Sequence, residues 1–151
     1  MKRTYVFLAV ALASAASVAT VASAQSNRPA AHLSRAATVQ LRHTSLGSIL
    51  VNSSGRTLYE FTRDHAKKNS CAAIRGCSAA WPSLKASGRP TAGSGVKASL
   101  LSTTSGNQVT YAGHPLYTYS GDSGPGEISY VGAKMFGGTW YAINASGGTV
   151  K

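Results

Sequence analysis

From position 37 onward the chain runs in short alternating stretches, ATVQLRH, then GSILVN, then TLYEFT, each bounded by Ser, Asn or Gly. Alternation with period two predicts half-buried β-strands, and the intervening residues are turn formers. The reversal Asn52-Ser53-Ser54-Gly55 predicts a hairpin with Gly55 at positive φ, where a side chain would be strained. A second set follows the same plan: ASLLSTT, NQVTYA and PLYTYS, with Ala112-Gly113-His114 at the corresponding reversal and a last apolar stretch, TWYAIN. The pattern predicts an all-β, β-dominated fold in which two related antiparallel units pack as one small domain.

The two sets are copies. LYEFTRD at 58–64 returns 58 positions later as LYTYSGD at 116–122, so a Y-x-[FY]-x-x-D motif occurs twice. Val51 falls opposite Val109, Gly55 opposite Gly113, Leu58 opposite Leu116 and Tyr59 opposite Tyr117 at one constant offset. A fixed offset of this kind marks an internal repeat. The first copy covers about 37–97 and the second about 98–151. Each carries a tryptophan downstream of its acid, Trp81 and Trp140. On a strand, residues two apart project to one side, so Tyr59 pairs with Phe61 and Tyr117 with Tyr119 as plates of an aromatic core.

The connectors differ between copies. After Asp64 comes HAKKNSCAAIRGCSAAWPSL, in which the stretch from Cys77 to Trp81 predicts a helical turn that stops at Pro82. After Asp122 comes the glycine-rich SGPGEISYVGAKMFGG, without cysteine. At the amino end, Lys2 and Arg3 precede an Ala-rich apolar run that closes on Ala22-Ser23-Ala24. This is the layout of an export signal with cleavage near Ala24. The expected product has no transmembrane segment, and residues 25–36 form a polar, aperiodic leader. Export places Cys71 and Cys77, the two cysteines of the chain, where thiols oxidise, so a disulfide pinning this short loop is the expected reading.

Charge sharpens the picture. Fifteen Lys and Arg oppose four Asp and Glu, for a net charge of +11. Such a field draws anionic partners of the cell envelope or extracellular space by salt-sensitive attraction. Nucleic acid is not the expected partner, because no recognition module accompanies the charge and export removes the chain from the genome. Two of the four acids, Asp64 and Asp122, end the two motifs. Each stands where its strand should stop, able to accept N–H groups of the following loop.

These acids, with Tyr59, Phe61, Tyr117 and Tyr119, form the candidate binding positions, and His65 and His114 lie beside the motifs in sequence. The histidines make haem or a transition metal, or an electron-transfer role, the alternative reading; no ligand spacing such as H-x3-H supports it, and no cofactor is expected. No nucleophile elbow, H-E-x-x-H pair or phosphate loop is present, so catalysis is not expected. The expected function is non-catalytic binding or structural support outside the cytoplasm.

ILVNSSGRTLYEFTRD, the cysteine pair leading into CSAAWPSL, and QVTYAGHPLYTYSGD together resemble the bacterial secreted-repeat family, also described as predicted lipoproteins with a Y-x-[FWY]-x-x-D motif. The resemblance spans roughly residues 37–145. It implies a small, mostly β, extracytoplasmic protein of two repeats and supplies no activity. The cysteine that a lipid anchor requires does not accompany the expected cleavage point.

Overall fold

A computed structural model describes residues 38–151. The expected export signal and leader lie outside the described residues. Strand β1 (Val39–Thr44) turns at Ser45-Leu46 into β2 (Gly47–Asn52), with Val39 opposite Asn52 and Thr44 opposite Gly47. The chain reverses at Gly55, whose φ of 78° is the left-handed conformation its lack of a side chain permits. A Cβ there would press on Arg42 and Pro125, so the position excludes side chains on two grounds. It then enters β3 (Tyr59–Phe61).

The cysteine loop follows, with a 3-10 turn at Cys71–Ala73 and the one-turn helix α1 (Cys77–Ala80), which ends before Pro82 as expected. Cys71 and Cys77 are bonded and fully buried. In the chain-entropy view, closing a loop this short removes roughly 2–3 kcal/mol of unfolded-state freedom.

The second copy supplies β4 (Leu101–Thr103), β5 (Val109–Tyr111) and β6 (His114–Pro115), a three-stranded antiparallel sheet. Then come β7 (Ala133–Met135), β8 (Gly138–Ile143) and β9 (Thr149–Val150). Strands β7 and β9 both pair with β8, and β8 pairs with β3 of the first copy. Among the described residues no helix is long and apolar enough to cross a membrane.

Two sequence expectations need correction. The copies are not in constant register through the first turn. Val51 bridges Thr57, whereas Thr110 pairs with Pro115. The reversal in the second copy is therefore one residue shorter, and Val51 is structurally equivalent to Thr110 rather than Val109. The 58-residue offset holds after the turn, from Thr57 and Pro115 onward.

PLYTYS is also not a continuous strand. Tyr117 bridges Tyr59 on one side and Ser83 on the other. On the Ser83 side the ladder is made of single bonds: Leu84 N–H to Leu116 O, Thr118 N–H to Pro82 O, and Ser120 N–H to Ala80 O. The return bonds are missing because Pro82 has no N–H, the Ala80 N–H stays with Gly76 O at the start of α1, and the Leu116 N–H goes to Val109 O.

Four segments thus lie edge to edge: 80–84, 116–120, 59–62 and 139–142. Each motif pairs with the segment that follows the tryptophan of the other copy: Tyr117 opposite Ser83, and Tyr59 opposite Ala142. The centre is the exchange between Tyr59 and Tyr117, each donating its N–H to the other's carbonyl at 2.9 and 3.0 Å. Aromatic rings repeat this twofold relation. Trp81 and Trp140 stack with centroids 3.9 Å apart and planes within 1°. Phe61 stacks on Trp140 at 4.1 Å, and Tyr119 lies on Trp81 at 4.3 Å. Tyr59 meets Trp81 edge-on at 5.1 Å, and Tyr117 meets Trp140 at 5.2 Å. A separate aliphatic cluster, including Val39, Leu50, Leu58, Leu116 and Ile143, fills the other part of the core.

Removing Trp140 leaves a cavity in the middle of a four-ring stack. Trp140→Ala is expected to cost about 3–5 kcal/mol, a large share of the stability of a domain this small. Trp140→Phe is expected to stay folded in urea titration but to lose the exciton couplet of paired indoles from the far-ultraviolet circular dichroism. An unchanged spectrum in that variant would contradict the stacked pair.

Candidate functional site

Tyr59, Phe61 and Tyr117 are buried, and Tyr119 half-buried, because the strand geometry turns them into the shared aromatic layer. Their hydroxyls decide how the acids are used. Tyr117 Oη donates to Asp64 Oδ2 at 2.7 Å, and Tyr59 Oη donates to Asp122 Oδ1 at 3.2 Å. Each motif acid therefore serves the tyrosine of the other copy. The same crossing recurs at the turn that precedes the first motif. Arg56 Nη2 donates to the carbonyls of Tyr119 and Asp122 at 3.1 and 2.8 Å. Its counterpart after the turn, His114, sits instead beside Asp64.

The two acids are held differently. Asp64 also accepts Ser70 N–H at 2.7 Å, so it fixes the start of the cysteine loop as the strand-end position predicts. Burial raises its carboxyl above the usual range, against the pull of Tyr117, Ser70 and the nearby imidazoles. Asp122 is more deeply buried, and its Oδ2 has no hydrogen-bond partner in the protein. Burial pushes it up to about 6, although Tyr59 and Arg56 favour the charged form. Both tyrosine hydroxyls are held above their ordinary value by burial and by the carboxylates they face.

A third carboxylate escaped the sequence reading. Glu60, between the two aromatics of the first motif, is 5% exposed and points away from them. His114 Nδ1 approaches Glu60 Oε2 at 2.6 Å, and Thr149 Oγ1 donates to Oε1. Burial opposes ionisation of Glu60, but the bonds from His114 and Thr149 overcome it and hold the carboxyl below the usual range. The same bond raises His114. Period two gave the only available signal, since Glu60 alternates with the plates and so had to face the opposite side of β3. Its partner belongs to the other copy and could not be read from spacing.

His65 is exposed. It lines a depression of about 160 Å³ with Asp64, Ala66, Gly113, His114 and Pro115. The structure thus brings His65, His114 and Asp64 to one place. Among the described residues no three His, Cys, Asp or Glu side chains converge to hold a metal ion. The fourth acid, Glu127, accepts from Ser123 Oγ and from the Ser129 N–H and Oγ. Those bonds lower it to about 2.

Fold and site together define a duplicated β module with one disulfide, in which neither copy completes its own motif. The chain belongs to the family described as a secreted repeat of unknown function, whose model matches residues 41–85 and again 99–144. The two matches begin 58 residues apart, as the motifs do. No curated protein and no solved structure matches the chain.

The pKa directions give a pH optimum. His114 lies above its ordinary 6.5 when folded, so the stability it contributes is complete below 6.5 and is lost as pH rises through the folded value. Asp122 is raised from 3.8 to about 6, so its ionisation penalises the folded state above about 6, and the penalty disappears as pH falls toward 3.8. Glu60 is lowered from 4.5, so its stabilisation is lost in acid below that value. Stability is expected to rise from pH 8 to a maximum near about pH 5 in urea titrations. Asp122→Asn should flatten the limb between about 6 and 4, and Glu60→Gln the limb above about 6.5. Stability that fell steadily on acidification from neutral pH would refute these assignments.

Proposed function

We propose that this is a non-catalytic, exported module that binds polyanions of the cell envelope or extracellular space through its basic surface. One observation carries the reading: every carboxylate side chain is engaged within the fold. Glu60 faces His114 and Thr149, Asp64 faces Tyr117 and Ser70, Asp122 faces Tyr59, and Glu127 caps its own turn. Among the described residues no Lys or Arg forms a salt bridge. The exposed cations, among them Lys67, Lys68, Arg75, Lys85, Arg89 and Lys97, therefore present charge of one sign with no neighbouring acid to neutralise it. Such a surface attracts polyanions at long range, and salt weakens it.

A second reading has one observation in its favour. The Glu60–His114 contact engages Nδ1 and leaves Nε2 free, the carboxylate-oriented imidazole that is common behind metal ligands. Asp64 and His65 line the same depression. A metal or haem held there would need further ligands from outside these residues. Metal analysis and a visible spectrum of protein purified from its native compartment test that reading directly.

For the main reading, the purified mature protein is expected to be retained on anionic envelope fragments at about 20 mM salt and released by about 0.5 M, where the screening length falls to a few ångströms. Retention that is indifferent to salt, or no retention at all, would refute it.

A further inference from the structure

The positive surface is not uniform. Three depressions adjoin one another around the segment 85–90. The first, about 280 Å³, is lined by Thr38, Ser53, Lys85, Ser87, Arg89 and Thr91 among others. The second, about 490 Å³, shares Arg89 and adds Ser102, Thr103 and Asn107. The third, about 480 Å³, shares Lys85 and adds Asn69, Ser83, Thr104 and Gln108. No carboxylate lines any of the three, whereas the depression beside the motif contains Asp64.

The segment carrying both cations is held at each end. Lys85 bridges Gln108, and Ala86 N–H donates to Asn107 O at 3.1 Å. At the far end Val39 N–H donates to Thr91 O at 3.2 Å, while Thr38 and Thr91 exchange bonds through their hydroxyls. The backbone flanking the two cations is therefore anchored on both sides before any ligand arrives, which lowers the ordering cost of binding.

We infer that these depressions form one binding track for a linear, hydroxyl-rich polymer with regularly spaced oxyanions, of the polyol-phosphate kind. Hydroxyl and amide side chains in the depressions match the polymer's hydroxyls. Arg89 and Lys85, standing where depressions meet, match successive anionic groups, and the guanidinium can grip a phosphate with two parallel N–H bonds. The inference rests on the envelope-binding reading and gives it a place and a ligand class.

The test is calorimetric titration of the mature protein with a glycerol-phosphate oligomer, beside a hexuronate oligomer of equal charge, at about 50 mM salt. The glycerol-phosphate oligomer is expected to bind. Lys85→Ala with Arg89→Ala should weaken it by at least about tenfold. Lys134→Ala with Lys151→Ala, which removes equal charge from exposed positions outside the three depressions, should change it by less than about threefold. Equal losses in the two double variants would overturn the track while leaving charge-driven binding intact. Failure of the parent to bind any polyanion would overturn both. Tighter binding of the hexuronate, with the same dependence on Lys85 and Arg89, would overturn the phosphate assignment.

Discussion

The structure depends on the reciprocal exchange between Tyr59 and Tyr117. Their backbones trade two hydrogen bonds, and their hydroxyls reach past one another to the opposite copy's acid, Tyr59 to Asp122 and Tyr117 to Asp64. The aromatic rings around the pair follow the same pseudo-twofold relation. The two indoles stack face to face at its centre, and each motif's second aromatic covers the other copy's tryptophan. A lone copy would expose a strand edge, leave a buried-type hydroxyl without its acceptor and lose half the ring stack. The repeated motif is thus first of all the contact by which the copies hold each other.

Much of this was legible in the sequence because it is local and periodic. The hairpin at Gly55, the helical turn stopped by Pro82, the bonded cysteines and the burial of Tyr59, Phe61, Trp81, Tyr117 and Trp140 follow from turn chemistry, side-chain alternation and redox compartment. What was not legible is partnership across copies. Spacing placed an acid at each strand end and predicted a loop N–H donor for each; Ser70 supplies it for Asp64, whereas Asp122 accepts from Tyr59 alone and its Oδ2 has no partner. It could not tell that the tyrosine it serves lies in the other repeat. The one-residue slip at the turn was hidden for a related reason: Val51 and Val109 are both buried, apolar and aligned by count, and only the ladder reveals that Thr110 has taken the equivalent place.

Departures from the twofold relation are informative because packing symmetry does not require them. Arg56 closes its side of the exchange with two backbone carbonyls, while His114 closes the other with Glu60. The residue matching Glu60 in the second motif is Thr118, which carries no charge. One side of the molecule thus holds a titratable imidazole–carboxylate pair beside Asp64, and the other a permanently charged guanidinium beside a carboxyl that burial pushes to about 6. The copies share a backbone plan but respond to pH through different groups.

The same economy of acids connects core to surface. A chain with four carboxylates, each tied to hydroxyls, N–H groups or an imidazole of its own fold, has none left to intersperse among its cations. Like-charged side chains repel, which destabilises a compact state modestly, and here the disulfide and the aromatic stack offset that cost with contacts that salt and pH barely touch. Interspersed signs would relieve that repulsion, and here few acids are available to supply them. With each carboxylate tied to partners of its own fold, the exposed charge is mostly of one sign, which is the feature the proposed attraction to polyanions rests on.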